Sequence, residues 1–210
     1  MKKLFGVLLM AVICASLFAD TVVFSEKFTG EDLSPQNWML TLSEYCKGID
    51  YQKPLKGALV IKGLLAPQTG KNARAALERD ACFTNGDVVW SLNLELDPAA
   101  AGSGTYTWRL QSDNGETQLG VAVSKDKNKP WVVKGVNGFT CKLLSDKKVV
   151  LSKKPCKLEI IRRKADYQVL VNGQCICTAN GDTDTIASIQ LTVQGNAPAV
   201  LKSMELKSIK

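Results

Sequence analysis

No histidine occurs in the 210 residues of this chain. Without an imidazole, neither a Ser-His-Asp nor a Cys-His nucleophile can be assembled, and zinc would need all-thiolate ligation from scattered cysteines. No basic run is longer than Arg162-Arg163-Lys164, so the dense phosphate-facing stripe of a nucleic-acid binder is missing. The modest excess of Lys and Arg reads instead as solvated surface. Beyond the first nineteen residues no apolar run approaches the twenty or so residues of a membrane-spanning helix. Internal repeats, low-complexity tracts and linkers are absent, and no segment carries a 3.6-residue apolar stripe of helical length. Gly135-Val136-Asn137-Gly138 is no phosphate loop, because no Lys-Ser/Thr follows in frame.

What is present begins with an address. Met1 to Ala19 has the layout of a secretory signal: Lys2 and Lys3, an apolar stretch from Leu4 to Ile13, then small residues ending at Ala19 before Asp20. The stretch is too short to cross a hydrocarbon core of ~30 Å at about 1.5 Å per residue. Residues 1–19 are therefore expected to be removed, leaving residues 20–210 as one exported domain, periplasmic or extracellular. Loss of Lys2 and Lys3 lowers the formal charge from +7 to +5. Cleavage before Cys14 would instead give a lipid-anchored protein. Ile13 stands where such signals carry Gly, Ala or Ser, so cleavage near Ala19 is the main expectation.

The seven cysteines fall to six once Cys14 is removed: Cys46, Cys82, Cys141, Cys156, Cys175 and Cys177. An even number in an oxidising compartment favours disulfides over free thiols or a metal site, with the pairing left open.

The rest reads as strand. In Val88 to Asp97 the side chains of Val88, Trp90, Leu92, Leu94 and Leu96 point one way, and Ser91, Asn93, Glu95 and Asp97 the other. Thr105 to Gln111 repeats the pattern, with Tyr106, Trp108 and Leu110 against Thr107, Arg109 and Gln111. Pro98 to Gly104 is a loop, and Asp113-Asn114-Gly115 signals a hairpin before Gln118–Ser124. Further strands are predicted at Thr21–Phe28, Trp38–Leu42, Ala58–Lys62, Ala73–Glu78, Pro130–Lys134, Lys157–Lys164, Tyr167–Asn172, Gln174–Thr178, Ser188–Gln194 and Leu201–Lys207. Asn172-Gly173 joins two of them as a type I′ turn. So many strands with such regular turns predict an all-β, two-sheet antiparallel β-sandwich or barrel.

Two stretches carry a family likeness. Val23-Phe24-Ser25-Glu26-Lys27-Phe28-Thr29-Gly30, followed by Leu33 and Trp38, resembles the opening of concanavalin-A-like jelly rolls, among them laminarinase-type glycoside hydrolases and their non-catalytic relatives. Lys157 to Arg163, then Tyr167 to Gly173 with its V-N-G hairpin, is similar to the paired strands of laminin-G-like jelly rolls. The resemblance spans most of residues 21–209 and implies a jelly roll, a core position for Trp38, and a structural calcium held near the first and last strands by Glu26 and Glu205. The acidic loop Asn180 to Asp184 reads as turn chemistry. Laminarinase-type enzymes carry E-x-D-x-x-E on one strand. The nearest stretch, Glu95-Leu96-Asp97-Pro98-Ala99-Ala100, has Ala100 in place of the second glutamate and a proline that ends the strand, so the two-carboxylate machinery is incomplete.

The favoured expectation is a non-catalytic module that binds carbohydrate or glycoconjugate on a concave sheet face. Ser91, Asn93 and Glu95 would lie beside Thr107, Arg109 and Gln111 if Pro98–Gly104 is a hairpin. Trp90 and Trp108 are core residues on this reading, and Trp131, next to a charged loop, is the tryptophan expected to be exposed for sugar stacking. A structural or protein-interaction module of the cell envelope, and a glycoside hydrolase, are the alternatives.

Overall fold

The computed structural model describes residues 20–42, 46–65, 75–114, 118–137, 142–143, 148–151, 155–180 and 185–209. The leader lies outside these residues. The described chain forms β1 (Thr21–Glu26), β2 (Thr29–Gly30), β3 (Met39–Leu42), β4 (Cys46–Tyr51), β5 (Leu55–Lys56), β6 (Leu59–Leu65), β7 (Ala75–Thr84), β8 (Asp87–Glu95) and β9 (Gly104–Ser112). It continues with β10 (Gln118–Lys125), β11 (Trp131–Asn137), β12 (Lys142–Leu143), β13 (Val149–Leu151), β14 (Pro155–Arg163), β15 (Asp166–Val171), β16 (Gln174–Asn180), β17 (Ile186–Gly195) and β18 (Ala199–Ile209). All pairings are antiparallel, as expected. The short β2, β5, β12 and β13, and β4, were not signalled by alternation.

Two large sheets face each other. The first has the order β16-β15-β14-β8-β18-β6-β4, with β1 also pairing with β18, and the second β12-β11-β10-β9-β17-β7-β3, with β13 also on β11. Trp90, Leu92 and Leu94 of β8 and Trp108 and Tyr106 of β9 meet in the core between them. Tyr106 stacks on Trp108 with centroids 6.1 Å apart and tilts against Trp131 at 6.0 Å. Its hydroxyl faces the carbonyls of Ile61, at 2.9 Å, and Ala197, and burial pushes the phenol far above its ordinary pKa. Asn172 and Gly173 both have positive φ, 50° and 79°, between the paired ends of β15 and β16, which is the type I′ turn read from the sequence.

The stretch from Pro98 to Gly104 is not a hairpin. It carries the chain from β8 in the first sheet to β9 in the second. The carbonyls at its start accept from the second sheet: Trp131 Nε1 donates to Asp97 at 2.8 Å, and the buried Lys125 Nζ donates to Pro98 at 2.8 Å and also to Lys129, in the β10–β11 connection, at 2.8 Å. Trp131 is 0% exposed, so its expected exposure is overturned; the indole fills the core under this loop.

Nor do the described cysteines form disulfides. Cys82, Cys156 and Cys177 are free thiols; Cys141 and the side chain of Cys46 lie outside the described residues. Cys156 faces Leu94 across the β14–β8 pair and Cys177 faces Val169 across β15–β16, so neither has a sulfur opposite it. Cys175 is exposed while Cys177 is buried, and Cys175 Sγ donates to the Cys177 carbonyl at 3.4 Å. Burial pushes the thiols of Cys156 and Cys177 up to about 11.

Two outcomes test this architecture. Iodoacetamide applied to the native protein at neutral pH should label Cys82 and Cys175 but spare Cys156 and Cys177, which react only after unfolding. Peptide mass spectrometry without reductant reads each site, and a disulfide among the four, lost on reduction, would overturn the arrangement. Gly120 on β10 pairs with Arg109, and a Cβ there would stand 2.0 Å from the Trp108 carbonyl oxygen. Gly120→Ala should therefore cost about 2–3 kcal/mol of stability, seen as a lower urea midpoint.

Candidate functional site

Because Tyr106, Trp108 and Leu110 point into the core, alternation turns Thr105, Thr107, Arg109 and Gln111 of β9 to the opposite, outward face of the second sheet. Register places neighbours beside them. Gln111 stands next to Ser188 of β17 and, beyond it, Asp80 of β7. In the next row Gly120, Arg109, Gln190, Glu78 and Met39 lie side by side on β10, β9, β17, β7 and β3. The row after that runs Ala122, Thr107, Thr192 and Ala76. The outward face is thus a grid of amides, hydroxyls, carboxylates and one guanidinium over small residues.

The grid is closed at its centre and open at one end. Arg109 is only 1% exposed; it lies over Gly120, and its Nη1 donates to Gln190 Oε1 at 3.3 Å and Thr192 Oγ1 at 3.4 Å. Toward β3 and β7 the face opens into a cleft of about 520 Å³ lined by Asn37, Met39, Glu78, Asp80, Gln111 and Ser188, among others. Ser188 Oγ donates to Gln111 Oε1 at 3.2 Å, fixing that amide with its NH2 group free to turn elsewhere. Asp80 accepts the backbone N–H of Cys82 at 2.6 Å, which holds the left-handed turn at Cys82 where β7 bulges against β17. Between the two acids, Arg79 points the other way, pairing with Glu26 at 3.2 Å and lying over the rings of Phe24 and Trp38.

Of the residues singled out from sequence, Arg109 and Gln111 belong to this face. Ser91, Asn93 and Glu95 do not. Strand β8 sits in the other sheet, so these three face solvent on the opposite side of the sandwich. There Ser91 donates to Glu159 at 3.3 Å, Asn93 to Ser203 at 2.9 Å, and Glu95 pairs with Lys202 at 3.4 Å. With the ion pairs Lys157–Glu159 and Lys207–Glu205 they make an ordinary charge-laced sheet surface, of little energetic weight. Asp97 does not complete a catalytic strand with Glu95, since its carboxylate accepts the Ala99 N–H at 3.0 Å within the crossing loop.

Glu26 and Glu205 are not brought together either. Ser25 pairs with Glu205 and Glu26 with Met204, which puts the two carboxylates on opposite faces of β1 and β18. Glu26 accepts from Phe28 N at 3.0 Å and pairs with Arg79, while Glu205 pairs with Lys207 at 2.8 Å. Among the described residues no group of three His, Cys, Asp or Glu side chains converges as a metal site. Residues 181–184 of the acidic loop lie outside the described residues.

The acids that do share a cleft, Glu78 and Asp80, went unnoticed because the strand containing them was expected to end at Glu78. Their signal was in the sequence: Ala76, Glu78 and Asp80 alternate with Leu77 and Arg79. Chemically the cleft offers hydrogen-bond acceptors, amide donors and one thioether wall, a composition suited to a polyhydroxylated ligand.

No family model and no curated protein matches this chain. Among solved structures, it is similar to SCLam, a non-specific endo-beta-1,3(4)-glucanase from family GH16, with a TM-score of 0.64 at 11% identity over 91% of this chain and 92% of that one. A laminarinase from Flavobacterium sp. UMI-01 is similar over 90% of this chain and 100% of its own, with a TM-score of 0.59 at 12% identity. The carbohydrate recognition domain of Emp47p is similar over 91% and 97%, with a TM-score of 0.52 at 11% identity. At such identities the likeness speaks for architecture, and with the sheet topology above it makes the chain a concanavalin-like jelly roll.

Proposed function

We propose that this protein is an exported, non-catalytic carbohydrate-binding module whose ligand lies in the cleft at the open end of the outward face of the second sheet. The observation that carries this reading is the placement of Gln111, Ser188, Glu78 and Asn37 around one polar cleft, flanked by the exposed Met39. Planar amides and carboxylates match paired sugar hydroxyls, and an apolar side chain beside them suits the C–H face of a pyranose ring. The fold lends support, since glucanases and a carbohydrate recognition domain share it, although a superfold hosts many jobs. Binding without hydrolysis is favoured because the partial E-x-D motif at Glu95 and Asp97 lies away from the cleft, and of the strand acids within it, Glu78 and Asp80, the latter is engaged by the Cys82 N–H. Export rests on the leader alone.

A glycan array followed by calorimetry tests the proposal. Gln111→Ala should weaken any glycan found by about tenfold, the loss of one or two hydrogen bonds. Asn93→Ala, on the opposite face, should leave affinity unchanged. Equal loss in both variants, or none in Gln111→Ala, would remove the cleft as the site. Release of reducing ends from the bound oligosaccharide would replace binding with hydrolysis. Sequencing the N-terminus of the mature protein should give Asp20 as the first residue.

A further inference from the structure

Resting on that reading, we infer that the cleft takes a short glycan segment, a di- or trisaccharide or the terminal units of a branch, and not the extended face of a polysaccharide. The argument begins with where solvent reaches the outward face of the second sheet. Its middle is closed. Arg109 and Thr107 of β9 are 1% and 3% exposed, Thr192 of β17 is 9% and Ala122 of β10 is 8%, although alternation turns all four outward. A surface that water barely touches offers no contact to a sugar ring. Accessible groups are left at the two ends of the face. At one end lies the cleft, where Asn37, Met39 and Asp80 are exposed and Glu78 and Gln111 half-buried. At the other, Gln194 is exposed and the hydroxyls of Thr105 and Ser124 meet at 3.1 Å. Gln194 stands six residues along β17 from Ser188, about 20 Å away, with the closed middle between them.

The open end has a definite size. Successive outward side chains on one strand are about 7 Å apart, so between the Arg109 row and the strand ends there is the width of a single ring. From β9 across β17 and β7 to β3 the cleft spans about 14 Å, the length of a di- or trisaccharide. Its volume of about 520 Å³ agrees with a ligand of that size. Two turns flank it, and both are held by their own hydrogen bonds. The N–H groups of Asn37 and Trp38 donate to the Ser34 carbonyl, each at 3.0 Å. On the other side the Asp113 N–H donates to the Thr185 carbonyl at 3.0 Å and Ser112 Oγ to Asn114 Oδ1 at 2.8 Å. Walls fixed in this way are in place before a ligand arrives, which favours one that fits between them. A longer chain would have to leave the surface over the β3 edge or past the strand ends, and its extra units would gain no contact.

Calorimetry with linear oligosaccharides of two to eight units separates this from the underlying proposal. The probes are the cello-, xylo-, manno- and chitin series, of which those that bind on the glycan array are titrated. Affinity should climb up to three units and then rise less than about tenfold from three to eight, the statistical gain of extra registers included. Gln194→Ala, at the far end of the same face, should bind every length as the parent does, and circular dichroism verifies that it folds. A rise of tenfold or more beyond three units, or a loss of affinity for the longer chains in Gln194→Ala, would overturn the short-site inference and leave carbohydrate binding standing. Absence of binding to every glycan on the array would overturn both.

Discussion

The arrangement of this molecule depends on how its chain crosses between the sheets after β8. The crossing turns the backbone carbonyls of the half-buried Asp97 and Pro98 away from the strand ladder at the end of the sandwich. They accept instead from the indole N–H of Trp131 and the ammonium of Lys125. Each such hydrogen bond contributes on the order of 1 kcal/mol, so the two donors hold the crossing in place. Once it is made, the outward face of β8 and the outward face of β9 are on opposite sides of the protein, and only the second can join Gln190, Ser188 and Glu78.

This crossing also marks the boundary of what alternation reveals. The core positions of β8 and β9 were readable residue by residue, because burial of one face imposes a period of two. Alternation distinguishes inside from outside but not one sheet from another, since in a sandwich both sheets present identical patterns. The pairing that decides the matter joins β8 to β14 and β18, strands whose Cα partners lie far away in the chain, such as Ser91 with Glu159 and Glu205. Nothing local encodes those contacts. Trp131 illustrates the same limit: a proline and a run of charged residues before it suggested exposure, whereas its acceptor is 34 residues away.

Counting misled where geometry governs. An even number of cysteines suggested bridges, yet Cys156 and Cys177 are placed by the core packing of their strands and behave as small hydrophobes in protonated form. Glu26 and Glu205 stood at the right ends of the chain for a shared ion, but a single step of register sends neighbouring residues to opposite faces of a strand. In contrast, Asn172-Gly173 needed no long-range information, because positive φ at both positions is a local demand, and it was read correctly.

The outward face has a relief and a chemistry, and the two are under different controls. At Gly120 the relief is dictated by the backbone of the adjacent strand, which leaves no room for even a methyl group. The chemistry sits at positions such as Asn37, Glu78 and Gln111, whose side chains end in the cleft and support little of the core. Substitution at the first kind of position is punished by misfolding, whereas at the second it changes which molecule is held. Over evolutionary time such a surface can exchange ligands while its contours stay constant, which is how one scaffold comes to serve many unrelated recognition tasks.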